Sequence, residues 1–217
     1  MTAPERTALL GVGPFGLRVA SLLAGTLGGR ELPPGAGVEE AFEGSPGAVV
    51  LALWRPAPAL CEEADALSHR LGVPWLPVVL EPSSVQIGPL VVPGRGPCHR
   101  CFDERRLQHD PRWRDTLALF DAYDRDRGCG PAGYLPQHAR AAAGLAASVL
   151  LGPADAGGVV TFHPREMSVG RDRVLGCHGC PRCGGPIPRR DLRALLAVHA
   201  PAPADAPAAR EEDARVR

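Results

Sequence analysis

The chain contains no lysine: its 24 basic residues are all arginine. Chemistry that needs a lysine amine, such as a Schiff base or a P-loop, is thereby excluded. No run of 18 apolar residues occurs, so no membrane span is expected. The N-terminus also lacks the charged and apolar regions of a secretory signal. A cytoplasmic location is the resulting expectation, and in a reducing compartment paired cysteines point to metal or catalysis rather than to disulfides. An excess of charge of either sign is absent as well. Acidic residues number 24, giving formal net charge +0, which argues against nucleic acid held by bulk charge.

What is present fits one large domain or two small ones. At 217 residues, 45% hydrophobic and 22% charged, the chain can bury a proper core. Gly (26) and Pro (24) are about twice as frequent as usual, so many turns are expected around few regular elements. A strand over Thr7–Gly11 leads into a helix over Phe15–Leu27. The stretch Gly28–Gly47 carries little periodicity. Ala48–Trp54 and Trp75–Leu80 are unbroken apolar runs, the mark of strands buried on both faces of a parallel sheet. Between them Ala59–Leu71 places Leu60, Ala64, Leu67 and Leu71 on one helical face. Val85–Val92 reads as a strand broken at Gly88-Pro89. This alternation predicts an open, mostly parallel α/β sheet.

After Cys98 the pattern changes. Cys101–Ala122 is helix-compatible, Gln137–Leu151 is an Ala-rich helix, and Val159–Phe162 with Met167–Val174 reads as a strand pair. A last helix is expected over Asp191–His199. The division that results is a Rossmann-like half over 1–94, a cysteine-bearing half over 95–190 and a disordered tail over 199–217.

The strongest chemical signal is a pair of CxxC turns, Cys98/Cys101 and Cys180/Cys183. Each turn aims two sulfurs at one point, and together they supply the four thiolates of a closed, structural zinc site. Cys177 with Cys180 is also a CxxC, and His99 and His178 are nearby donors, so the ligand set keeps those alternatives. A weaker signal is Gly11-Val12-Gly13-Pro14-Phe15-Gly16, a GxGxxG in the strand-turn-helix setting that a phosphate site requires. Dinucleotide sites place an acid about 20 residues further on, at the end of a second strand. No apolar strand leads into that window, so Gly11, Gly13 and Gly16 are expected to be vestigial as cofactor ligands and ATP binding is not expected.

In combination, the GxGxxG unit, the mid-chain CxxC, the Gly-rich turn into an Ala-rich helix and the late CPxC resemble the E1-like adenylating superfamily. Residues 85–106 (VQIGPLVVPGRGPCHRCFDERR) and 174–184 (VLGCHGCPRCG) are most similar to the E1-like proteins of thiazole/oxazole-modified microcin biosynthesis. The resemblance implies a truncated Rossmann-like E1 fold with its C-terminal half stapled by zinc. It also implies a protein without catalysis of its own that serves a YcaO-type cyclodehydratase acting on a ribosomal precursor, whose leader such proteins commonly bind. Self-association as a homodimer fits the same family. With strand one beginning at Thr7, the N-terminal leader-recognition module of these proteins is not expected here, which favours a scaffold. The competing reading is an adenylating enzyme with Cys129, in Cys129-Gly130-Pro131-Ala132-Gly133, as acyl acceptor and Arg18 as the nearest cation to the glycine turn.

Overall fold

A computed structural model of the protein describes residues 7–126, 128–131 and 133–184. The described residues all belong to one compact unit, Met1–Gly185. The expected helix over Asp191–His199 and the expected tail over 199–217 lie outside them.

The chain opens with β1 (Thr7–Val12), α1 (Gly13–Leu27), a two-residue β2 (Arg30–Glu31), a short α2 (Val38–Phe42), β3 (Ala48–Leu53), α3 (Pro58–Leu71) and β4 (Trp75–Leu80). It continues with β5 (Val85–Ile87), α4 (His99–His109), α5 (Trp113–Arg125), α6 (Pro136–Leu151), β6 (Gly158–His163) and β7 (Ser168–Arg173). Proline stands in the first turn of α1, α3 and α6, where its missing N–H costs nothing. Gly28 and Gly72, both left-handed, end α1 and α3 by turning their N–H groups back onto the last carbonyls.

The strands form one seven-stranded sheet in the order β2-β1-β3-β4-β5-β6-β7. The pairings from β2 to β4 are parallel, and those from β4 to β7 are antiparallel. Two successive reversals return β6 to the direction of β4, so five of the seven strands point the same way. The sheet is open, mixed α/β and mostly parallel, as the apolar runs imply. It passes without a break from the first ninety-four residues into the cysteine-bearing stretch, because β6 pairs with β5.

Both faces of the parallel part are covered. Leu9, Val50, Leu76 and Val78 face α1 and the Ala-rich α6, while Leu10, Val49, Leu51, Leu53 and Trp75 face α2 and α3. That double burial is why these strands read as continuous apolar runs rather than alternating ones. Ala139, Ala142, Ala143, Ala146 and Ala147 are buried, so α6 packs against α1 and the sheet mainly through methyl groups, with Leu150, Leu145 and Val149 completing the contact.

One expectation changes. The stretch Gly28–Gly47 holds β2 and α2, and Arg30 and Glu31 pair with Ala8 and Leu9, so a stub of the second strand is present. Both of its residues are exposed, which removes the apolar signal that would have revealed it. The helix-compatible stretch Cys101–Ala122 is divided between two helices, α4 and α5. Pro111 disfavours helical geometry at Asp110, and the Asp110 carboxylate then accepts the Arg112 N–H at 2.8 Å and the Thr116 hydroxyl at 2.5 Å to start α5.

The close alanine packing of α6 generates a test. Ala146→Leu adds volume to a fully buried position and should lower unfolding free energy by about 1–3 kcal/mol in a denaturant titration, with the fold's circular dichroism retained.

Candidate metal centre and strand-end crevice

The first CxxC turn forms because Cys98 is the N-cap of α4 and Cys101 lies one turn inside it. A helix start favours a thiolate over a thiol. The second turn, Cys180–Cys183, closes through the Gly184 N–H donating to the Cys180 carbonyl at 2.9 Å. The four sulfurs lie within 4.8 Å of one another. Cys98 to Cys101 is 3.8 Å, Cys98 to Cys180 is 3.6 Å and Cys101 to Cys183 is 3.4 Å. Four sulfurs around a tetrahedral ion at 2.3 Å would stand about 3.8 Å apart. The spacing fits one metal ion with no open coordination position.

Cys177 stands outside this set of four. Its N–H donates to the Cys101 sulfur at 3.2 Å, and its thiol faces the Cys101 carbonyl at 3.8 Å. His99 is committed elsewhere. Its ring stacks on Trp75, with centroids 5.2 Å apart, and its Nδ1 lies 3.1 Å from Asp103. Burial raises the thiol pKa of Cys98 far above its ordinary range. It likewise pushes Cys183 up to about 11 and, with Glu104 adding to it, Cys177 up to about 12. Burial pushes Cys180 up too, but the N–H groups of Cys183 and Arg182 and the thiols of Cys101 and Cys98 outweigh it and bring it down to about 6. A metal bound by thiolates displaces whatever protons its ligands carry, so its binding is pH-dependent.

Asp65, on α3 and fully buried, ties both turns to the core. One carboxylate oxygen accepts the His99 N–H at 3.0 Å and the Trp75 indole N–H at 3.3 Å. The other accepts the Arg182 guanidinium at 2.8 Å. Arg182 also forks onto Glu62 at 2.5 and 2.9 Å. Reading the sequence alone did not single out Asp65 or Arg182. The available signal was an acid on the buried face of α3, beside Cys61, Ala64 and Ser68.

The glycine turn lies at the C-terminal ends of β1 and β3, beside a cavity of about 480 Å³. This is the switch point of the sheet, where β1 separates β2 from β3 and α/β proteins usually bind ligands. Each of the three glycines has a packing reason to be glycine. A Cβ on Gly11 would lie 2.6 Å from the Gly16 carbonyl and the Leu17 nitrogen, and one on Gly16 would strike the Ala52 carbonyl. Gly13, at φ 70°, lies under the indole of Trp54, so that ring occupies the space above the start of α1. The far edge of the same indole abuts Gly130.

Among the described residues Arg55 is the one basic residue lining the cavity; its Nη groups are engaged by carbonyls, while its buried Nε has no partner. The Nη groups reach the carbonyls of Pro56 at 2.9 Å, Tyr123 at 2.8 Å and Asp126 at 3.2 Å. Glu31 closes β2 where a ribose-binding acid would stand, but it does not line the cavity. Nor do Arg18 and Cys129. Cys129 is exposed, and its N–H donates to the Asp126 carbonyl at 3.1 Å. A larger hollow of about 880 Å³ lies at the opposite end of the strands, beside Thr7, Ala48 and Pro74, with Arg95 its only titratable lining.

No protein-family model and no curated protein sequence matches the chain. Solved structures do. A heterocyclase in complex with substrate and cofactor superposes on 83% of this chain and 25% of its own, with TM-score 0.57 and 16% identity. The heterocyclase TruD superposes on 82% of this chain and 26% of its own, at TM-score 0.52 and 18% identity. E. coli MccB, solved with selenomethionine MccA, covers 72% of this chain and 46% of its own, at TM-score 0.51 and 16% identity. The chain has the fold of these heterocyclases and of MccB. It spans about a quarter of the heterocyclases' length and under half of MccB's. Among the described residues no helix is long and apolar enough to cross a membrane.

Removing one partner of a buried ion pair leaves the other uncompensated, at a cost of about 3–5 kcal/mol. Arg182→Ala strands the Asp65 carboxylate and should lower stability by that order, less whatever solvent recovers at the exposed Glu62 side. Asp65→Ala should be as damaging and should also lower metal occupancy. Denaturant unfolding with metal analysis of the same samples checks both.

Proposed function

We propose that the protein is a non-catalytic E1-like partner of a YcaO-type cyclodehydratase, supporting azoline or azole formation on a ribosomal precursor peptide. The observation that carries this reading is Trp54 seated over the start of α1 in a chain with the heterocyclase fold. A helix N-terminus binds phosphate through its free N–H groups, and here an indole lies against that turn. Adenylation further needs a cation or metal to stabilise developing charge. The cavity's arginine is held by three carbonyls, and no lysine exists to replace it. The protein's contribution is then a surface that brings precursor and cyclodehydratase together, while the ATP-dependent step on Cys, Ser or Thr belongs to the partner.

The metal is zinc in this reading, held by Cys98, Cys101, Cys180 and Cys183. Its role is structural, because four thiolates leave no position for substrate or water. Binding energy is then folding energy for the docking surface. Elemental analysis of protein purified under reducing conditions should find one zinc per chain. Cys98→Ser and Cys183→Ser should be metal-poor and poorly soluble, whereas Cys61→Ser should keep its zinc. Full zinc in Cys183→Ser together with loss in Cys177→Ser would reassign the fourth ligand.

The functional test is reconstitution with a YcaO-type cyclodehydratase and its precursor peptide. The isolated protein should catalyse no peptide-dependent pyrophosphate exchange, and its addition should raise water loss from the precursor by mass spectrometry. Cys129→Ala and Arg18→Ala should support the reaction nearly as well as the parent, and Cys183→Ser should not support it. Pyrophosphate exchange by the protein alone, lost in Cys129→Ala, would establish the adenylating enzyme instead.

A further inference from the structure

The strand-end cavity is too well made to be only a relic. It is walled by apolar side chains of β1, β3 and α3, including Leu10, Leu53 and Leu60, and by the rings of Trp54 and Tyr123. Two carboxylates, Glu63 of α3 and Asp124 of α5, line it as well and are exposed to solvent. Among the described residues neither forms an ion pair; Asp124 accepts only a long contact, 3.4 Å, from the Ala59 N–H. Glu40, on the neighbouring α2, is already turned onto the Gly37 N–H at 2.8 Å. Among the described residues the lining cation is Arg55, which stacks over Tyr123 at 4.4 Å and over Trp54 at 5.6 Å and donates from its Nη atoms to three carbonyls. The interior is therefore apolar and aromatic, and its described lining carries two carboxylates against one guanidinium, an excess of negative charge.

Such a lining repels phosphate and suits an aliphatic stem with a cationic tip. We propose that this cavity binds a basic side chain, an arginine or lysine presented by another polypeptide, with the stem against Leu10, Leu60 and Trp54 and the cation between Glu63 and Asp124. Two carboxylates on separate elements, α3 and α5, can hold a guanidinium from two sides at the mouth of the cavity, while the apolar wall takes the stem. Because this chain has no lysine, a lysine ligand has to come from a different protein. The site would serve a role in peptide maturation but does not require it; failure of a basic peptide to bind leaves the reconstitution result untouched.

The test titrates the full zinc-loaded chain with three probes and follows the Trp54 indole N–H by NMR, assigned with Trp54→Phe. The probes are acetyl-Gly-Leu-Arg-Leu-Gly-amide, the same peptide with glutamate in place of arginine, and AMP. The arginine peptide should shift the Trp54 signal saturably, and the glutamate peptide and AMP should not. Glu63→Gln with Asp124→Asn, both exposed and so tolerated by the fold, should weaken the arginine peptide by about fivefold or more. Equal binding of the arginine and glutamate peptides, unchanged affinity in the double variant, or a saturable Trp54 shift with AMP would each overturn the assignment. So would the absence of any saturable shift with the arginine peptide.

Discussion

A carboxylate buried in an apolar core is costly unless a cation and hydrogen-bond donors reach it. Asp65 meets that requirement with groups from three distant parts of the chain. The Trp75 indole comes from β4, the His99 N–H from the start of α4 and the Arg182 guanidinium from the second CxxC turn. His99 directly follows Cys98, and Arg182 directly precedes Cys183. Satisfying one carboxylate thus brings the two CxxC turns face to face on the same side of α3. The metal site is assembled by an interaction that contains no sulfur.

At the other end of α3 a second polar anchor does comparable work. Arg55, placed at the end of β3, reaches the carbonyls that close α5 and stacks on Tyr123, the one buried residue of that helix. It carries Trp54 with it, and the indole is held between the glycine turn and the loop at Gly130. The geometry that fastens α5 to the sheet is the same geometry that covers the start of α1. A switch-point crevice survives, but the surface it offers is aromatic and acidic rather than one of open N–H groups and cations.

Much of this architecture is legible in one dimension. The apolar runs at Ala48–Trp54 and Trp75–Leu80 announce strands with helices on both faces, and the CxxC spacings announce four converging sulfurs. Two features stay hidden because their signals are weak. The stub β2 is exposed along its whole length, so it has no burial pattern. The division between α4 and α5 depends on one Pro111 and on the Asp110 carboxylate that accepts from Arg112 and Thr116, rather than on any change in hydrophobic period.

Local chemistry, then, was determined by sequence alone: strands from unbroken apolar runs, helix starts from proline, helix ends from glycine, thiol pairs from spacing, and the exclusion of lysine mechanisms from composition. These depend on neighbours within a few positions, which a sequence displays directly. That Cys177 stays outside the set of four, what lies over the glycine turn and which charges line the crevice were decided only by tertiary structure. Asp65 and Arg182 are 117 positions apart, and Gly13 meets Trp54 only because β1 and β3 lie side by side in register. No local pattern encodes either contact, since each exists only once the sheet has formed and brought distant side chains within bonding distance.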